Sequence, residues 1–329
     1  MKHRPLQLFV ISVVLSSLSF GQVTNSMAQA AASCAVTGIP NPNQLALLRW
    51  YDANTTARIA LGGTPLGMAF DGSNLWVVNA PANSVSKLRT SDGALLGTFS
   101  VGNAPGYAAF DGANVWVTNL LDNTVSKLRA SDGATLGTFA TGTFPWGIVF
   151  DGTSIWVGNI LDNTASKFRP SDGALLGVFP AGTCPISMAF DGGNLWFTNQ
   201  CGANTVTKLR TKDGVVLGTF AVGDNPVGAA FDGSSIWVAN ASSNSVSRLR
   251  AKDGHLMGTF RVGAFPQFVA FDGANIWVTD QGTNSISKLS ACNGALIGTF
   301  AAGSLTTGIA FDGANVWAGN SGDGTLSKF

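Results

Sequence analysis

The chain has 329 residues, with 19 basic and 18 acidic side chains and a formal net charge of +1 at pH 7. This balance lacks the basic excess of a nucleic-acid-binding protein and excludes that class. Charged residues are few, but 10% of the residues are aromatic, which excludes a disordered chain and favours a packed core.

The first 30 residues have the composition of a secretory signal peptide. Lys2 and Arg4 give a basic start, an apolar stretch covers residues 6–20, and small residues around Ala30 resemble a cleavage site. The apolar stretch is too short to span a membrane as a helix. We therefore predict a leader over residues 1–30 and a secreted or periplasmic mature protein with no membrane span.

Residues 31–44 are predicted to be a linker. An alternative is lipid attachment at Cys34, but Ala31 stands where a larger aliphatic residue is usual.

Residues 45–329 carry a repeat of about 40 residues, in which Phe-Asp-Gly is followed by Trp at the sixth position after the Phe. Such a period, with short strand-like runs in each copy, is typical of a β-propeller built from four-stranded antiparallel blades. We therefore predict an all-β, seven-bladed β-propeller forming a single domain. The Phe residues that mark the copies are Phe70, Phe110, Phe150, Phe190, Phe231, Phe271 and Phe311.

Four strands are predicted in the first copy, at 66–70 (strand A), 74–79 (strand B), 84–89 (strand C) and 95–101 (strand D). Asp-Gly pairs between A and B and between C and D predict tight hairpins, since such turns need residues that accept positive φ. The connections from B to C, and from D to the next strand A, are longer and vary between copies. The longer connections should share one face of the propeller, the long-loop face, opposite a hairpin face.

Strands B and D carry large apolar residues on both sides of the pleat, so both are expected to be covered on both faces. The Trp of each strand B is then expected to pack between blades rather than to form a ligand cage. Strand C alternates, and its basic residues are expected to form a solvated stripe. That stripe comprises Lys87, Lys127, Lys167, Lys208, Arg248 and Lys288.

The two ends of the repeat region predict how the ring closes. The chain stops in a strand C at 325–329, while residues 55–61 resemble a displaced strand D. These two segments should therefore meet in the last blade and remove its open edge. Residues 45–51 also align with strand C and are predicted to form an extra outer edge strand.

An even number of cysteines is compatible with disulfides in an oxidising compartment. Cys184 precedes strand A of the fourth copy, and Cys201 lies in the B to C loop of that copy, which is one residue longer than in the others. Both loops should reach the same face, so we predict this disulfide, with two unpaired buried thiols as the competing reading. Cys34 with Cys292 is a weaker pairing, because the path of the segment around Cys34 cannot be inferred.

The sequence resembles bacterial YVTN-type β-propeller repeats, which are relatives of NHL-type propellers. The resemblance covers residues 45–329 and is carried by runs such as Asn-Val-Trp-Val-Thr-Asn at 114–119 and Gly-Thr-Phe-Ser-Val-Gly at 97–102. It implies an exported seven-bladed propeller but no particular activity. Among enzymes it resembles streptogramin B lyase, which uses His, Glu and a magnesium ion. This sequence has no Glu and one His after the leader, so no catalytic residue carries over.

The copies differ mainly in the long loops, so a ligand site is expected on the long-loop face. Trp146 is the most distinctive residue there, because the equivalent positions of other copies hold smaller residues. Stacking on a sugar or peptide is one interpretation, and simple plugging of the channel mouth is the other. The predicted ligand-binding residues are Tyr107, Phe144, Trp146, Phe265, Gln267, Phe268, Asp122, Asp162, Asp224 and Asp280, with Leu66, Leu120, Leu121, Ile160, Leu161 and Asp323 nearby.

No catalytic residue is predicted. His255 follows Asp-Gly in a C to D hairpin and is expected on the opposite face, away from the loop carboxylates. Zinc ligands are not clustered. We expect no cofactor, although Asp, Asn and backbone carbonyls around Asp323 have the chemistry to hold calcium or magnesium.

These observations favour a non-catalytic scaffold that binds a protein, peptide or glycan on its long-loop face. The alternative is a lyase or hydrolase with a site of loop Asp residues and a cation. A third reading is a purely structural role in an envelope or surface layer. An enzyme site needs an asymmetric arrangement of residues, and in this nearly uniform repeat only the loops differ between copies. The near-identity of the copies therefore favours a scaffold over an enzyme.

Overall fold

A computed structural model describes residues 57–329, and these fold into seven four-stranded antiparallel sheets. Besides the strands, the described residues include two short 3₁₀ helices, Ala80–Ala82 and Ala241–Ser243, and no helix among them is long and apolar enough to cross a membrane. The predicted seven-bladed β-propeller is confirmed. The predicted leader, the linker and the extra strand at 45–51 lie outside the described residues.

The strands follow one another blade by blade, each blade running from strand A at the ring centre to strand D at the outside. The first strand, β1 (Ala57–Ala60), serves blade 7, whose other strands are last in the chain. Blades 1 to 3 comprise β2 (Pro65–Phe70), β3 (Asn74–Asn79), β4 (Ser84–Arg89), β5 (Leu95–Ser100); β6 (Pro105–Phe110), β7 (Asn114–Asn119), β8 (Thr124–Arg129), β9 (Thr135–Ala140); and β10 (Pro145–Phe150), β11 (Ile155–Asn159), β12 (Thr164–Phe168), β13 (Leu175–Pro180).

The remaining blades repeat this order with the same register. Blades 4 to 7 comprise β14 (Pro185–Phe190), β15 (Asn194–Asn199), β16 (Thr205–Arg210), β17 (Val216–Ala221); β18 (Pro226–Phe231), β19 (Ser235–Asn240), β20 (Ser245–Arg250), β21 (Leu256–Arg261); β22 (Pro266–Phe271), β23 (Asn275–Asp280), β24 (Ser285–Ser290), β25 (Leu296–Ala301); and β26 (Thr306–Phe311), β27 (Val316–Asn320), β28 (Thr325–Lys328).

The ring closes through the two ends of the described chain. Strand β1 pairs antiparallel with β28, with Arg58 opposite Ser327 and Ile59 opposite Leu326. The inner strands of neighbouring blades contact one another around the ring, including β26 of blade 7 with β2 of blade 1. The predicted closure is therefore confirmed, and the last blade receives its outer strand from the start of the repeat region.

The repeated Asp of Phe-Asp-Gly ties the A to B turn to the core. In blade 1, Asp71 Oδ1 accepts the backbone N–H of Ser73 and of Asn74, while Oδ2 accepts the indole N–H of Trp76 at 2.8 Å. Burial opposes ionisation of this carboxyl, but these hydrogen bonds outweigh it and lower the pKa of Asp71. Gly72 completes the turn at φ +95°. The repeat is thus explained by one Asp that serves both the turn and the indole.

The Trp residues are buried between blades, as expected from the sequence. Trp76 lies 5.4 Å, between ring centroids, from Phe99 of strand D, and the same pairing recurs in blades 2 to 6. Each blade therefore carries an apolar core that is completed by the next blade, which is why the ring has a distributed core rather than a single centre.

The basic residues of strand C are not a solvated stripe, which corrects the sequence-based expectation. Lys87 is only 8% exposed, and its Nζ lies 5.2 Å from the ring centroid of Trp76. The same ammonium donates to the backbone oxygen of Ala130 at 2.6 Å, in the C to D turn of the next blade. Strand alternation predicted which residues share a side but not that a neighbouring blade covers that side. These cations therefore link adjacent blades.

Strand D also differs from the expectation, because it forms the outer edge of the ring and is partly exposed. In blade 1, Leu95 and Leu96 are both exposed, whereas Phe99 faces inward to Trp76. The same alternation of exposed and half-buried residues recurs in β9, β13, β17, β21 and β25. Strand B, in contrast, is buried on both faces as predicted.

Candidate functional site

The two classes of longer connection meet on one face, so the predicted long-loop face exists. In blade 2 the backbone N–H of Leu120, in the B to C loop, donates to the carbonyl of Ala104, which precedes strand A. In blade 3 Ile160 donates to Phe144 in the same way. Equivalent bonds occur in the other five blades. The loops of this face are therefore fixed against the strands that carry them.

In six of the seven blades an Asn before strand C joins the loop to the next blade, a feature that sequence reasoning missed. Asn123 has φ +54°, and its Oδ1 accepts the backbone N–H of Phe144 at 2.9 Å. In the same way, Asn244 Oδ1 accepts the backbone N–H of Phe265, also at 2.9 Å. The repeated Asn at this spacing was the available signal. The full set of donors is Ala104, Phe144, Cys184, Asn225, Phe265 and Leu305.

These six donor residues all have left-handed backbone conformations, with φ between 49° and 58°. A bulky residue such as Phe144, Phe265 or Leu305 is disfavoured there, because its Cβ crowds the backbone. Phe265 and Leu305 are also exposed. The same conformation recurs at this position in six blades, so it belongs to the repeated loop. The rim of the long-loop face therefore holds apolar side chains in positions that folding alone does not favour.

Four aromatic residues predicted from the sequence come together at the channel mouth. Tyr107 of blade 2 lies 5.8 Å from Trp146 of blade 3 and 5.2 Å from Phe268 of blade 6, between ring centroids. Phe144 stacks on Trp146 at 6.1 Å. Since blades 2 and 6 are not neighbours, Tyr107 and Phe268 meet across the channel. We call Tyr107, Phe144, Trp146 and Phe268 the channel-mouth cluster.

Blades 1 and 5 have glycine at the strand A position that Tyr107 and Phe268 occupy in blades 2 and 6, and this leaves room for the two rings. A Cβ at Gly67 would lie 2.6 Å from the backbone of Tyr107, and a Cβ at Gly228 would lie 2.6 Å from that of Phe268. The inner strands of blades 1 and 5 therefore lie too close to the inner strands of blades 2 and 6 to carry a side chain at Gly67 or Gly228. Burial raises the pKa of the Tyr107 phenol, so it stays a neutral hydrogen-bonding group. Gln267 and Phe265 lie beside Phe268 in blade 6.

A second apolar group lies on the tips of two neighbouring B to C loops. Leu121 is 68% exposed and Leu161 is 64% exposed, which makes them the most exposed large apolar residues of the described range. Asp122 and Asp162 follow them and are also exposed. Leu120 is buried, and Ile160 is half-buried. The long-loop face therefore carries aliphatic groups next to carboxylates.

Three of the loop carboxylates brace the loops. Asp122 Oδ2 accepts the backbone N–H of Asn103 at 2.7 Å, and Asp162 Oδ2 accepts that of Thr143 at 2.6 Å. The hydrogen bonds from Asn103 lower the pKa of Asp122. Asp323 accepts the N–H of Ser304 in the same way. These carboxylates are thus exposed, but each already has a structural partner.

Two other predicted acids have different surroundings. The Oδ1 atom of Asp224 accepts a hydrogen bond from the Asn204 side-chain amide at 2.9 Å on the exposed face. Asp280, in contrast, is the last residue of β23 and has no exposed surface, which corrects its expected place in a surface loop. Its Oδ2 accepts the hydroxyl of Ser287 at 2.6 Å, and its Oδ1 has no partner. Burial raises the pKa of Asp280 to about 6.

The described long loops contain no Lys or Arg, so the charge of this face is negative. The guanidinium of Arg58 on β1 lies 3.9 Å from Asp323. The only described histidine, His255, is exposed in the C to D turn of blade 5, on the hairpin face as predicted. Within residues 57–329, no three His, Cys, Asp or Glu side chains are grouped as metal ligands would be.

The predicted disulfide between Cys184 and Cys201 is confirmed, with a Cα–Cα distance of 5.9 Å. It joins the residue before strand A of blade 4 to the B to C loop of the same blade. The weaker prediction, Cys34 with Cys292, depends on a residue outside the described range.

Comparison with solved structures finds the same fold in proteins of distant sequence. Hydrazine synthase from Kuenenia stuttgartiensis aligns with a TM-score of 0.74 and 16% identity, covering 84% of this chain and 97% of that one. Virginiamycin B lyase from Staphylococcus aureus gives 0.73 and 19%, covering 83% and 98%. A streptogramin B lyase gives 0.71 and 19%, covering 83% and 96%.

Comparison of the sequence itself gives no assignment, since no protein-family model and no curated protein matches it. The comparison with solved structures confirms the expected similarity to streptogramin B lyase at the level of the seven-bladed fold.

Proposed function

We propose that this protein is an exported, non-catalytic β-propeller that binds a protein, peptide or glycan through its long-loop face. The observation that carries the proposal is the internal comparison of the blades. Their cores repeat the same Asp, Trp and basic residues, while the channel-mouth cluster and the exposed leucines occur in particular blades only. A fold that needs neither feature in its other blades does not require them for stability.

Export is supported by the cysteine chemistry. Disulfides persist in oxidising compartments, and Cys184 and Cys201 are bonded within one blade. Together with the leader expected at residues 1–30, this favours a secreted or periplasmic protein.

A lyase is the second candidate, because two similar structures are named as lyases of virginiamycin B or streptogramin B. Its site would consist of loop Asp residues with a cation such as calcium or magnesium. The contacts favour the scaffold instead, since Asp122, Asp162 and Asp323 each accept a loop N–H. Turnover of a cyclic depsipeptide that chelation abolishes would support the lyase.

The test of the binding proposal is a thermal-shift screen of the mature protein against cell-wall glycans, short peptides, cyclic depsipeptides and divalent cations. A ligand that binds only the native state raises the melting temperature. We expect a shift that Trp146→Ala loses and Ile186→Ala retains, because Ile186 is the equivalent residue in blade 4, outside the channel-mouth cluster. Shifts retained by Trp146→Ala would contradict binding at the cluster, and concentration-dependent self-association with no shift would favour a structural role.

A further inference from the structure

Leu121 and Leu161 are exposed for no structural reason that the other blades share. The equivalent loop position holds Pro81, Ser242, Gly282 and Gly322 in the blades whose loops have the same length. Exposure of 68% and 64% leaves most of each side chain in water, which is unfavourable for an isobutyl group. Two such residues at matching places in adjacent blades indicate a surface that a partner covers.

Hydrogen bonds make the surface between the two leucines continuous. Asn123 Oδ1, in the loop of Leu121, accepts the N–H of Phe144. On the other side, the N–H of Leu161 donates to the carbonyl of Thr143 at 3.3 Å. Segment 141–144 is thus held between the two leucine-bearing loops. We call Leu121, Asp122, Phe144, Leu161 and Asp162 the blade 2–3 patch.

The charge of the patch selects among partners. Asp122 and Asp162 are exposed on it, and the surrounding long loops contribute no Lys or Arg within the described range. An anionic partner would be repelled, and a cationic one attracted. The two leucines offer no flat ring for stacking a sugar, and the one ring of the patch, Phe144, is already stacked on Trp146. The leucines are instead suited to leucine-like or valine-like side chains.

We propose that the blade 2–3 patch binds an extended peptide segment in which Lys or Arg residues are interspersed with aliphatic residues. The aliphatic side chains lie on Leu121, Phe144 and Leu161, and the cations lie beside Asp122 and Asp162. This inference rests on the proposed function and narrows its ligand to one chemical class.

Fluorescence anisotropy with a labelled dodecapeptide that repeats Lys-Leu-Ser tests the proposal, with matched peptides that carry Glu or Gln in place of Lys. The wild-type protein should bind the Lys peptide, and added salt should weaken binding because the charges are exposed. Leu121→Ser combined with Leu161→Ser should raise Kd at least about tenfold. Ser is the natural residue at this position in blade 5, so the fold tolerates it.

Asp122→Asn combined with Asp162→Asn removes the charge but keeps an acceptor oxygen for the two loop N–H groups, and it should raise Kd about fivefold. The matched controls are Leu95→Ser with Leu175→Ser on the outer strands, and Asp132→Asn with Asp172→Asn on the hairpin face of blades 2 and 3. Both controls should leave Kd within about twofold of wild type, since neither touches the patch.

Equal binding of the Glu or Gln peptide, no binding of the Lys peptide, or unchanged affinity in the leucine variant would overturn the inference. If a glycan or another peptide still binds and Trp146→Ala abolishes it, the proposed function stands without this inference. If all binding survives the long-loop variants and is lost in the hairpin-face variant, the inference and the proposed function are both wrong.

Discussion

A single atom distinguishes Asp280 from its counterparts in the other blades. Six blades end strand B with Asn, and in blade 7 the Asn320 amide donates to Ser327 Oγ at 3.0 Å. In blade 6 the direction is reversed, because Ser287 donates to the carboxylate. The hydroxyl groups and N–H that surround Asp280 bring no compensating charge, so ionisation there is costly.

Asp280→Asn should therefore stabilise the protein at alkaline pH. The pKa is about 6 in the folded state against 3.8 ordinarily, so the folded state holds the extra proton and loses stability as pH rises between these values. We expect the variant to gain about 1–3 kcal/mol in free energy of unfolding at pH 8. Its advantage should be smaller at pH 5, and denaturant unfolding at both values measures it. An advantage independent of pH would contradict the assignment.

The buried cations of strand C give a second prediction for single residues. Lys127 is 5% exposed, and its Nζ lies 5.2 Å from the ring centroid of Trp116. The same Nζ donates a hydrogen bond to the backbone oxygen of Pro170 in the next blade. Lys127→Met should lower the free energy of unfolding by about 1–3 kcal/mol, because it removes both interactions. Exposed Lys212→Met is the control and should change little. Equal stability of the two variants would show that the strand C cations do not link the blades.

At the scale of elements, the long loops are held by bonds of four kinds: backbone pairs, bridging Asn residues, loop carboxylates and one disulfide. The Cys184–Cys201 disulfide closes a segment with a sequence separation of 17 in blade 4. Since loop closure restricts the unfolded chain, its loss is costly.

Replacing both cysteines by Ala should lower the free energy of unfolding by about 2–4 kcal/mol. Thr183→Ala, in the same loop, is the matched control and should be nearly neutral because Thr183 is exposed. The measurement is thermal or denaturant unfolding of the three proteins. A double variant as stable as the control would mean that backbone bonds alone hold this loop.

The bounds of the strands could be predicted from the sequence more fully than the residues that pack against each strand. The predicted strands of the first copy match β3 and β4, since Asp-Gly turns mark where each hairpin bends. The covering of Lys87 was not predictable, because alternation along a strand carries no information on the neighbouring blade. Strand D was misjudged for the same reason. Tyr107 and Phe268 were both proposed as site residues, but their contact across the channel depends on ring geometry.

At the scale of the whole molecule, closure of the ring depends on β1, which completes blade 7. Ile59 packs with Leu326 and other core residues, and a Cβ on Gly93 of blade 1 would collide with it. Without this strand, β28 would present an open sheet edge, which invites pairing with another chain.

Ile59→Asp should accordingly lower the free energy of unfolding by about 2–4 kcal/mol and promote self-association. Ala60→Asp, on the exposed side of the same strand, is the control and should remain close to wild type. Light scattering coupled to size exclusion measures the association, and unfolding measures the stability. A variant as stable and as dispersed as the control would show that β1 does not close the ring.

The whole propeller offers two faces and an outer edge, and our account places ligand binding on the long-loop face alone. The most direct test is amide hydrogen exchange of the protein, with and without whichever compound of the thermal-shift screen stabilises it. We predict slower exchange in the loops of blades 2 and 3 and around Trp146, where binding orders the backbone. Slower exchange confined to the hairpin turns or to the strand D edges would contradict the account.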